Sequence, residues 1–179
     1  MSEGPSSGPC RGDPIRGLVA RLRSSLSGGE LIVASKIPSI SRAAELAALL
    51  DLDWAFVATT TLSAPWSHAA VYGALAHFEA MIFHEDKVRE WGIPLAIVRS
   101  DIAARRQEND ELMRVLHPAG LNIGGERAIV IDDGHACGLE LRAVAVGLRN
   151  AGCGTVDVVS MPGAPRLARP REVDRVLCG

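Results

Sequence analysis

The chain has 179 residues, of which 47% are hydrophobic and 22% charged, and its formal net charge at pH 7 is −2. This length suffices for one globular domain with a large apolar core, because a domain of about 150 residues buries roughly 70% of the surface that its unfolded chain exposes. The small net charge, without any run of five like charges, argues against nucleic acid and anionic membranes as partners.

Targeting signals and cysteine chemistry are also constrained by the sequence. No apolar segment approaches the roughly 20 residues of a membrane-spanning helix. The first residues, MSEGPSSGPCRGDP, lack the basic and then apolar pattern of a secretory signal, so a cytoplasmic location is expected. The four cysteines form no CxxC pair, which argues against a zinc site and a disulfide framework; they are Cys10, Cys137, Cys153 and Cys178.

The first third of the chain predicts a tail followed by alternating helices and strands. Residues 1–12 are rich in Gly, Pro and Ser and are expected to form a disordered tail. Apolar residues recur at helical spacing over residues 15–26, which predicts a first helix. ELIVAS, from Glu30, predicts a buried strand. A second helix is expected to start with Ser41 as its N-cap, and WAFVATT, from Trp54, predicts a second strand.

The rest of the chain continues this alternation. Residues 69–85 are rich in small and β-branched residues and predict one or two strands, and a longer helix is expected between Pro94 and Leu116. AIVIDD, LELRAVAVGLRNAG and TVDVVSMP then predict strand, helix and strand, with Gly152 as the glycine that ends the helix. This pattern predicts an α/β fold whose mainly parallel sheet is covered by helices on both faces.

Two adjacent acids, Asp132 and Asp133, end the apolar strand AIVI. Ligands of parallel sheets bind at the carboxyl ends of the strands, and burying an uncompensated charge costs several kcal/mol. The N–H groups at the start of the helix after Gly138 suit a phosphate, and two carboxylates suit the vicinal hydroxyls of a sugar. The pattern therefore favours a ribose phosphate as ligand. The alternative is that the acids only cap the turn and the helix.

The stretch AIVIDDGHACGLEL, residues 128–141, resembles the signature of the type I phosphoribosyltransferases. In that signature an apolar strand and two acids precede a loop of the form small, Thr, Gly, any, Thr, and Ala136 and Gly138 match the small residue and the glycine. The stretch is similar in particular to a branch of predicted phosphoribosyltransferases whose acids are followed by Gly, an apolar residue, Ala, Thr and Gly. The resemblance extends over about residues 32–165. It implies a single-domain phosphoribosyltransferase-type fold for residues 13–179, with a central mainly parallel sheet flanked by helices.

The resemblance implies a reaction as well as a fold. The family transfers a phosphoribosyl group from phosphoribosyl pyrophosphate to a nitrogen nucleophile, with Mg²⁺ bound through the pyrophosphate of the substrate and no metal held by protein ligands alone. Asp132 and Asp133 would bind the ribose hydroxyls, and Asp133 would be the catalytic residue, because the transition state carries positive charge on the ribose. A small-molecule partner is expected, either phosphoribosyl pyrophosphate or a nucleotide. The oligomeric state stays open, a homodimer included. The other substrate-binding residues implied are Lys36, Gly134, His135, Ala136, Cys137, Gly138, Leu139 and Glu140.

The chain departs from the family at three places that contact the phosphates. Cys137 and Glu140 replace the loop threonines, and a carboxylate of Glu140 that faced inward would repel a phosphate charge 4 Å away by about 4 kcal/mol at an effective dielectric of 20. Residues 35–41, SKIPSIS, lack the glycines of the family's pyrophosphate loop, and Thr60 and Thr61 stand near the place of a basic Arg-Lys pair. A non-catalytic module that binds a nucleotide or ribose phosphate is therefore the alternative function.

A further alternative concerns the thiol of Cys137. At a helix start, with His135 two residues away, it could form a reactive thiolate, although a cysteine is more often a small buried residue. The other histidines show no metal-ligand spacing and are expected to be structural; they are His68, His77, His84 and His117.

Overall fold

The computed structural model describes residues 14–178 except residues 122, 124, 126, 135 and 162–168. The predicted tail at residues 1–12 lies outside the described residues. The helices are α1 Pro14–Arg23, α2 Ile40–Leu50, α3 Glu85–Glu90, α4 Leu95–Leu116 and α5 Gly138–Asn150. The strands are β1 Glu30–Ala34, β2 Asp53–Phe56, β3 Thr59–Ser63, β4 Val71–Ala76, β5 Ala80–Phe83, β6 Arg127–Asp132, β7 Thr155–Ser160 and β8 Arg175–Cys178.

Five strands form a parallel sheet in the order β2-β1-β6-β7-β8. The central strand β6 is buried along its whole length, as expected for a strand covered on both faces. Successive side chains enter opposite cores: Ile129 packs with α1 and α2, and Val130 packs with α5. The predicted α/β fold, a single domain with a central mainly parallel sheet flanked by helices, is confirmed.

A separate antiparallel sheet contains β3, β4 and β5 in that order. The prediction of one continuous strand over WAFVATT, from Trp54, is wrong, because the chain leaves the parallel sheet after Phe56 and enters the antiparallel sheet at Thr59. Residues 69–85 contain the two strands expected there, β4 and β5. The antiparallel sheet has an apolar core of its own, shared with α3 and α4.

The start of α2 also differs from the prediction. A 3₁₀ turn at Ile37–Ser39 precedes the helix, so that Ser39 and not Ser41 occupies the cap position. Ser39 is buried and its hydroxyl donates a hydrogen bond to the carbonyl of Lys36 at 2.8 Å. This turn directs the chain from the end of β1 into α2.

Several other boundaries agree with the sequence. α1 ends at Arg23, a few residues earlier than predicted, and α4 begins directly after Pro94. Gly152 follows α5 with φ of 101°, the left-handed conformation that favours glycine after a helix. No helix within the described ranges is both long and apolar enough to cross a bilayer. The last strand, β8, was not predicted.

Candidate functional site

The predicted site residues converge at the carboxyl edge of the parallel sheet. β1 and β6 are neighbours, with Ala34 paired to Ile131, so that the chain segments leaving both strands lie side by side. Lys36 follows β1, whereas Asp132 ends β6 and Asp133 follows it. This edge is where ligands of open parallel sheets bind.

The two aspartates differ in environment. Asp132 is 1% exposed, and its Oδ1 accepts the N–H of Gly134 at 3.0 Å. Gly134 has φ of 87°, which a residue with a side chain rarely adopts. The carbonyl of Asp132 accepts the N–H of Met161 at 2.8 Å and so links the turn to the end of β7. Asp132 therefore shapes the turn, as in the capping alternative, and the half-buried Asp133 is the more accessible carboxylate.

Glu140 faces inward and is 3% exposed. It lies in the first turn of α5, whose N-cap is Cys137. Oε2 of Glu140 accepts the N–H of Cys137 at 2.9 Å, and the sulfur of Cys137 accepts the N–H of Glu140. This reciprocal arrangement is a capping box, in which the side chain of each residue satisfies the backbone of the other. Oε1 of Glu140 forms an ion pair with Nζ of Lys36.

The Lys36–Glu140 pair joins two of the predicted substrate-binding residues to each other. The inward carboxylate would repel a phosphate by itself, but the ammonium group of Lys36 compensates its charge. The same contact engages the lysine that the sequence assigned to the ligand, whose side chain is only 24% exposed. The α5 loop, which we define as residues 136–140, thus contains a buried acid whose charge is compensated by Lys36 from outside the loop.

The other predicted substrate-binding residues of this segment lie close to Glu140 in the sequence. Gly134 and Gly138 are exposed, and Ala136 and Leu139 are half-buried. His135 was predicted to bind the substrate and to assist the thiol of Cys137, and it lies outside the described residues.

The structure does not favour a reactive thiolate at Cys137. Burial raises the pKa of its thiol, and the carboxylate of Glu140 raises it further. Backbone N–H groups of Glu140 and Leu139 act in the opposite direction but do not outweigh burial. Because the thiolate is the nucleophilic form, Cys137 is better described as a capping residue.

A groove of about 480 Å³ borders the α5 loop. Cys137, Gly138 and Leu139 line one wall, and Lys87, Trp91 and residues 69–71 line the other. Lys87 is close to both the aromatic ring and the backbone of this wall, because its Nζ lies 5.5 Å from the ring centroid of Trp91 and 3.4 Å from the carbonyl oxygen of Val71. Of the described residues, the two aspartates do not line this groove.

Sequence reasoning missed the contribution of Lys87 and Trp91. Both follow the antiparallel sheet and are far from the α5 loop along the chain, so that no local motif connects them to it. The one feature of the sequence that could have drawn attention to Lys87 is its lysine content, since Lys36 and Lys87 are the only two lysines of the chain. Both lysines lie next to the α5 loop.

Comparisons with known proteins identify the fold. No family model and no curated protein matches the chain. Among solved structures, the protein TT1426 from Thermus thermophilus is similar with a TM-score of 0.61 and 19% identity, over 92% of this chain and 81% of that chain. The likeness to TT1426 shows a shared fold.

Two further solved structures are more distant. A purine phosphoribosyltransferase from Pyrococcus horikoshii has a TM-score of 0.47 and 13% identity, over 93% of this chain and 80% of that chain. A hypoxanthine phosphoribosyltransferase from Staphylococcus aureus has a TM-score of 0.48 and 13% identity, over 92% and 71% of the two chains. Both likenesses are too loose to add to the assignment of fold or function.

The described residues contain no group of three or more His, Cys, Asp or Glu side chains arranged to hold a metal ion. A larger hollow of about 580 Å³ lies beside α3, but its lining of Phe83, Val88, Ile93 and Leu95 with Glu85 and Arg89 includes none of the predicted site residues. Size alone therefore does not select the site. The convergence of charged and capping groups makes the carboxyl edge of the sheet the candidate site.

Proposed function

We propose that the chain is a phosphoribosyltransferase-like protein that binds phosphoribosyl pyrophosphate at the carboxyl edge of its parallel sheet and transfers the phosphoribosyl group to a nitrogen nucleophile. The observation that carries the proposal is the position of the half-buried Asp133 between the end of β6 and the start of α5, with Lys36 reaching over from the neighbouring strand. The ribose hydroxyls would contact the aspartates, and the 5-phosphate would contact the α5 loop.

The proposed chemistry depends on charge placement. Loss of pyrophosphate leaves positive charge on the ribose, and the carboxylate of Asp133 would stabilise that charge. Mg²⁺ usually keeps several waters and binds one or two carboxylates together with substrate phosphates. The partly exposed Asp133 fits this mode, because the ion would arrive with the pyrophosphate and needs no site built from protein ligands alone. The chemistry that Mg²⁺ supplies when bound is neutralisation of the leaving pyrophosphate.

One observation favours the second candidate, a non-catalytic module that binds a nucleotide or ribose phosphate. Lys36 is the only basic residue of the segment 35–41, and it pairs with Glu140. The segment also lacks the glycines that would let its backbone approach an anion. Binding of a leaving pyrophosphate is therefore weakened more than binding of a ribose with a single phosphate.

Calorimetric titration separates the two candidates. The enzyme is expected to bind phosphoribosyl pyrophosphate with Mg²⁺, and Asp133→Asn is expected to weaken this binding roughly 10- to 100-fold, since a hydrogen bond to a charged group contributes about 1.5–3 kcal/mol. The matched control is Asp53→Asn, an exposed aspartate at the first position of β2, which should leave affinity unchanged. Binding of adenosine monophosphate without binding of the donor supports the module. If neither ligand binds, both candidates are wrong.

A further inference from the structure

Three backbone N–H groups at the start of α5, those of Cys137, Leu139 and Glu140, already donate hydrogen bonds within the protein. The N–H of Cys137 donates to the carboxylate of Glu140 at 2.9 Å. The N–H groups of Leu139 and Glu140 both donate to the sulfur of Cys137. These are the donors that a phosphate at a helix start normally takes. The carboxylate of Glu140 thus makes contacts that an anionic ligand would need.

The nearest cation is engaged in the same way. Lys36 follows β1 and pairs with Oε1 of Glu140, while Oε2 accepts the backbone hydrogen bond. Glu140 therefore contacts a lysine and a backbone N–H simultaneously, which is the contact set of a bound phosphate oxygen group. The acid is 3% exposed, so that these contacts are shielded from competing water.

An independent feature of this edge is the hydroxyl of Ser35, which follows β1 directly. Ser35 is 1% exposed, and its Oγ has no hydrogen-bond partner among the described residues. In the alternation of the strand it shares the face of Val33, which packs in the core formed with α5. A buried hydroxyl without a partner is unfavourable and offers a donor on the side of the sheet that α5 covers.

We propose that Glu140 is an internal competitor that regulates access of an anionic ligand to the α5 loop. Its carboxylate holds Lys36 and the N–H of Cys137, and the phosphate of a ribosyl ligand gains these partners, with the Ser35 hydroxyl, only when it displaces Glu140. The inference rests on the proposed function, since it names how that site is controlled. It predicts that the affinity for phosphate rises when the charge of Glu140 is removed.

The variant Glu140→Gln tests the competition. Glutamine also forms capping boxes, so the variant keeps an acceptor for the N–H of Cys137 and loses only the charge. We expect it to bind ribose 5-phosphate at least about tenfold more tightly than the wild type, whereas affinity for neutral adenosine stays the same. Glu45→Gln, at an exposed position of α2, makes the same change in net charge and should not alter either affinity. Adding Lys36→Met to Glu140→Gln should abolish the gain.

The lysines provide a readout that needs no ligand. Mass spectrometry after brief acylation distinguishes Lys36 from Lys87, the only other lysine. Lys36 should react more slowly in the wild type than in Glu140→Gln, because the ion pair protects its amine, and Lys87 should react equally in both. Equal reactivity of Lys36 in the two proteins overturns the competition.

The outcomes separate this inference from the proposed function. If the wild type binds ribose 5-phosphate and Glu140→Gln binds it no more tightly, the competition is wrong and the proposed function stands. If neither protein binds ribose 5-phosphate but inorganic phosphate binds Glu140→Gln more tightly than the wild type, the competition stands without a ribosyl ligand. If Glu140→Gln gains affinity for neither compound, the competition is wrong.

Discussion

Arg142 and Glu172 form a two-pronged ion pair that links α5 to the turn before β8. Nε and Nη2 of Arg142 donate to the two carboxylate oxygens of Glu172, each at 2.8 Å. Both side chains are largely buried. The hydrogen bonds from Arg142 lower the pKa of Glu172 from 4.5 to about 2, against the opposing effect of burial. Planar pairs of this kind are among the stronger charged contacts in proteins.

The pKa of Glu172 predicts how stability depends on pH. Because the pKa is lower in the folded state, the contribution of this pair is fully present above pH 4.5 and is lost as the pH falls towards about 2. Glu172→Gln should therefore reduce the free energy of unfolding by about 2 kcal/mol at pH 7, and the difference from the wild type should shrink between pH 4.5 and pH 2. Urea unfolding at a series of pH values measures it, with the exposed Glu45→Gln as control. A difference that does not change with pH would contradict the assignment.

At the residue scale, the sequence predicted that the two aspartates and the start of α5 would meet at one edge of the sheet, but it did not predict their contacts. The order of acids, glycine and helix start placed Asp132, Asp133 and the α5 loop correctly at one edge, because strand ends in a parallel sheet share that edge. The inward orientation of Glu140 depends on Lys36, which is distant in sequence, and on an unusual cysteine cap. A capping box is normally recognised by Ser or Thr, so local pattern could not reveal it.

The helix α5 packs closely against the antiparallel sheet at Gly147. A Cβ atom added there would lie 2.6 Å from the carbonyl oxygen of His77 and 3.3 Å from the Cβ of Ala80. His77 lies in the connection between β4 and β5, and Ala80 is the first residue of β5. Gly147 thus lets a helix of the parallel sheet contact the antiparallel sheet at short range.

Two glycine-to-alanine variants should change stability in opposite directions. Helix propensity alone favours alanine by about 1 kcal/mol, but Gly147→Ala places a methyl group against a backbone carbonyl and should destabilise the protein by about 1–3 kcal/mol. Gly17→Ala in α1 meets nothing within 4 Å and should stabilise it by up to about 1 kcal/mol. Thermal unfolding of both variants measures the two effects. A Gly147→Ala protein as stable as Gly17→Ala would show that the contact relaxes freely.

At the element scale, prediction succeeded where periodicity was long and failed where the chain changed sheets. β6, α5 and β7 have uninterrupted apolar or helical patterns, and their order was correctly predicted. The residues from Trp54 to Thr60 form an uninterrupted β-prone run. The chain nevertheless bends after Phe56, and the next strand, β3, pairs with β4 in the antiparallel sheet. Only tertiary packing distinguishes two strands from one in such a run. The short β8 followed a polar segment and gave too weak a signal.

At the scale of the whole molecule, charged groups lie at both ends of the parallel sheet. Those at the amino end stabilise the fold, and those at the carboxyl end form the candidate site. At the amino end, Arg127 of β6 donates to Asp157 of β7 at 2.7 Å and to the carbonyl of Ser25 at 2.7 Å. Arg175 of β8 reaches the same aspartate at 3.2 Å. At the carboxyl end are the aspartate turn and the Lys36–Glu140 pair. A strand-by-strand hydrophobicity pattern predicted the sheet but did not predict that an ion cluster would be buried towards its amino end.

Substitution of Asp157 tests whether the two ends of the sheet are independent, because Asp157 is 0% exposed and forms ion pairs with both Arg127 and Arg175. Asp157→Asn leaves the buried Arg127 facing a neutral amide, and breaking a buried ion pair costs about 3–5 kcal/mol, so the urea midpoint should fall markedly. The matched control is Asp86→Asn, which removes the partner of Arg89 in an exposed ion pair of 3.4 Å and should give no measurable change. Under conditions where Asp157→Asn remains folded, ribose 5-phosphate should bind to it as to the wild type, since the cluster lies at the opposite end of the sheet. Weakened binding by the folded variant would mean that the amino end also controls the geometry of the α5 loop.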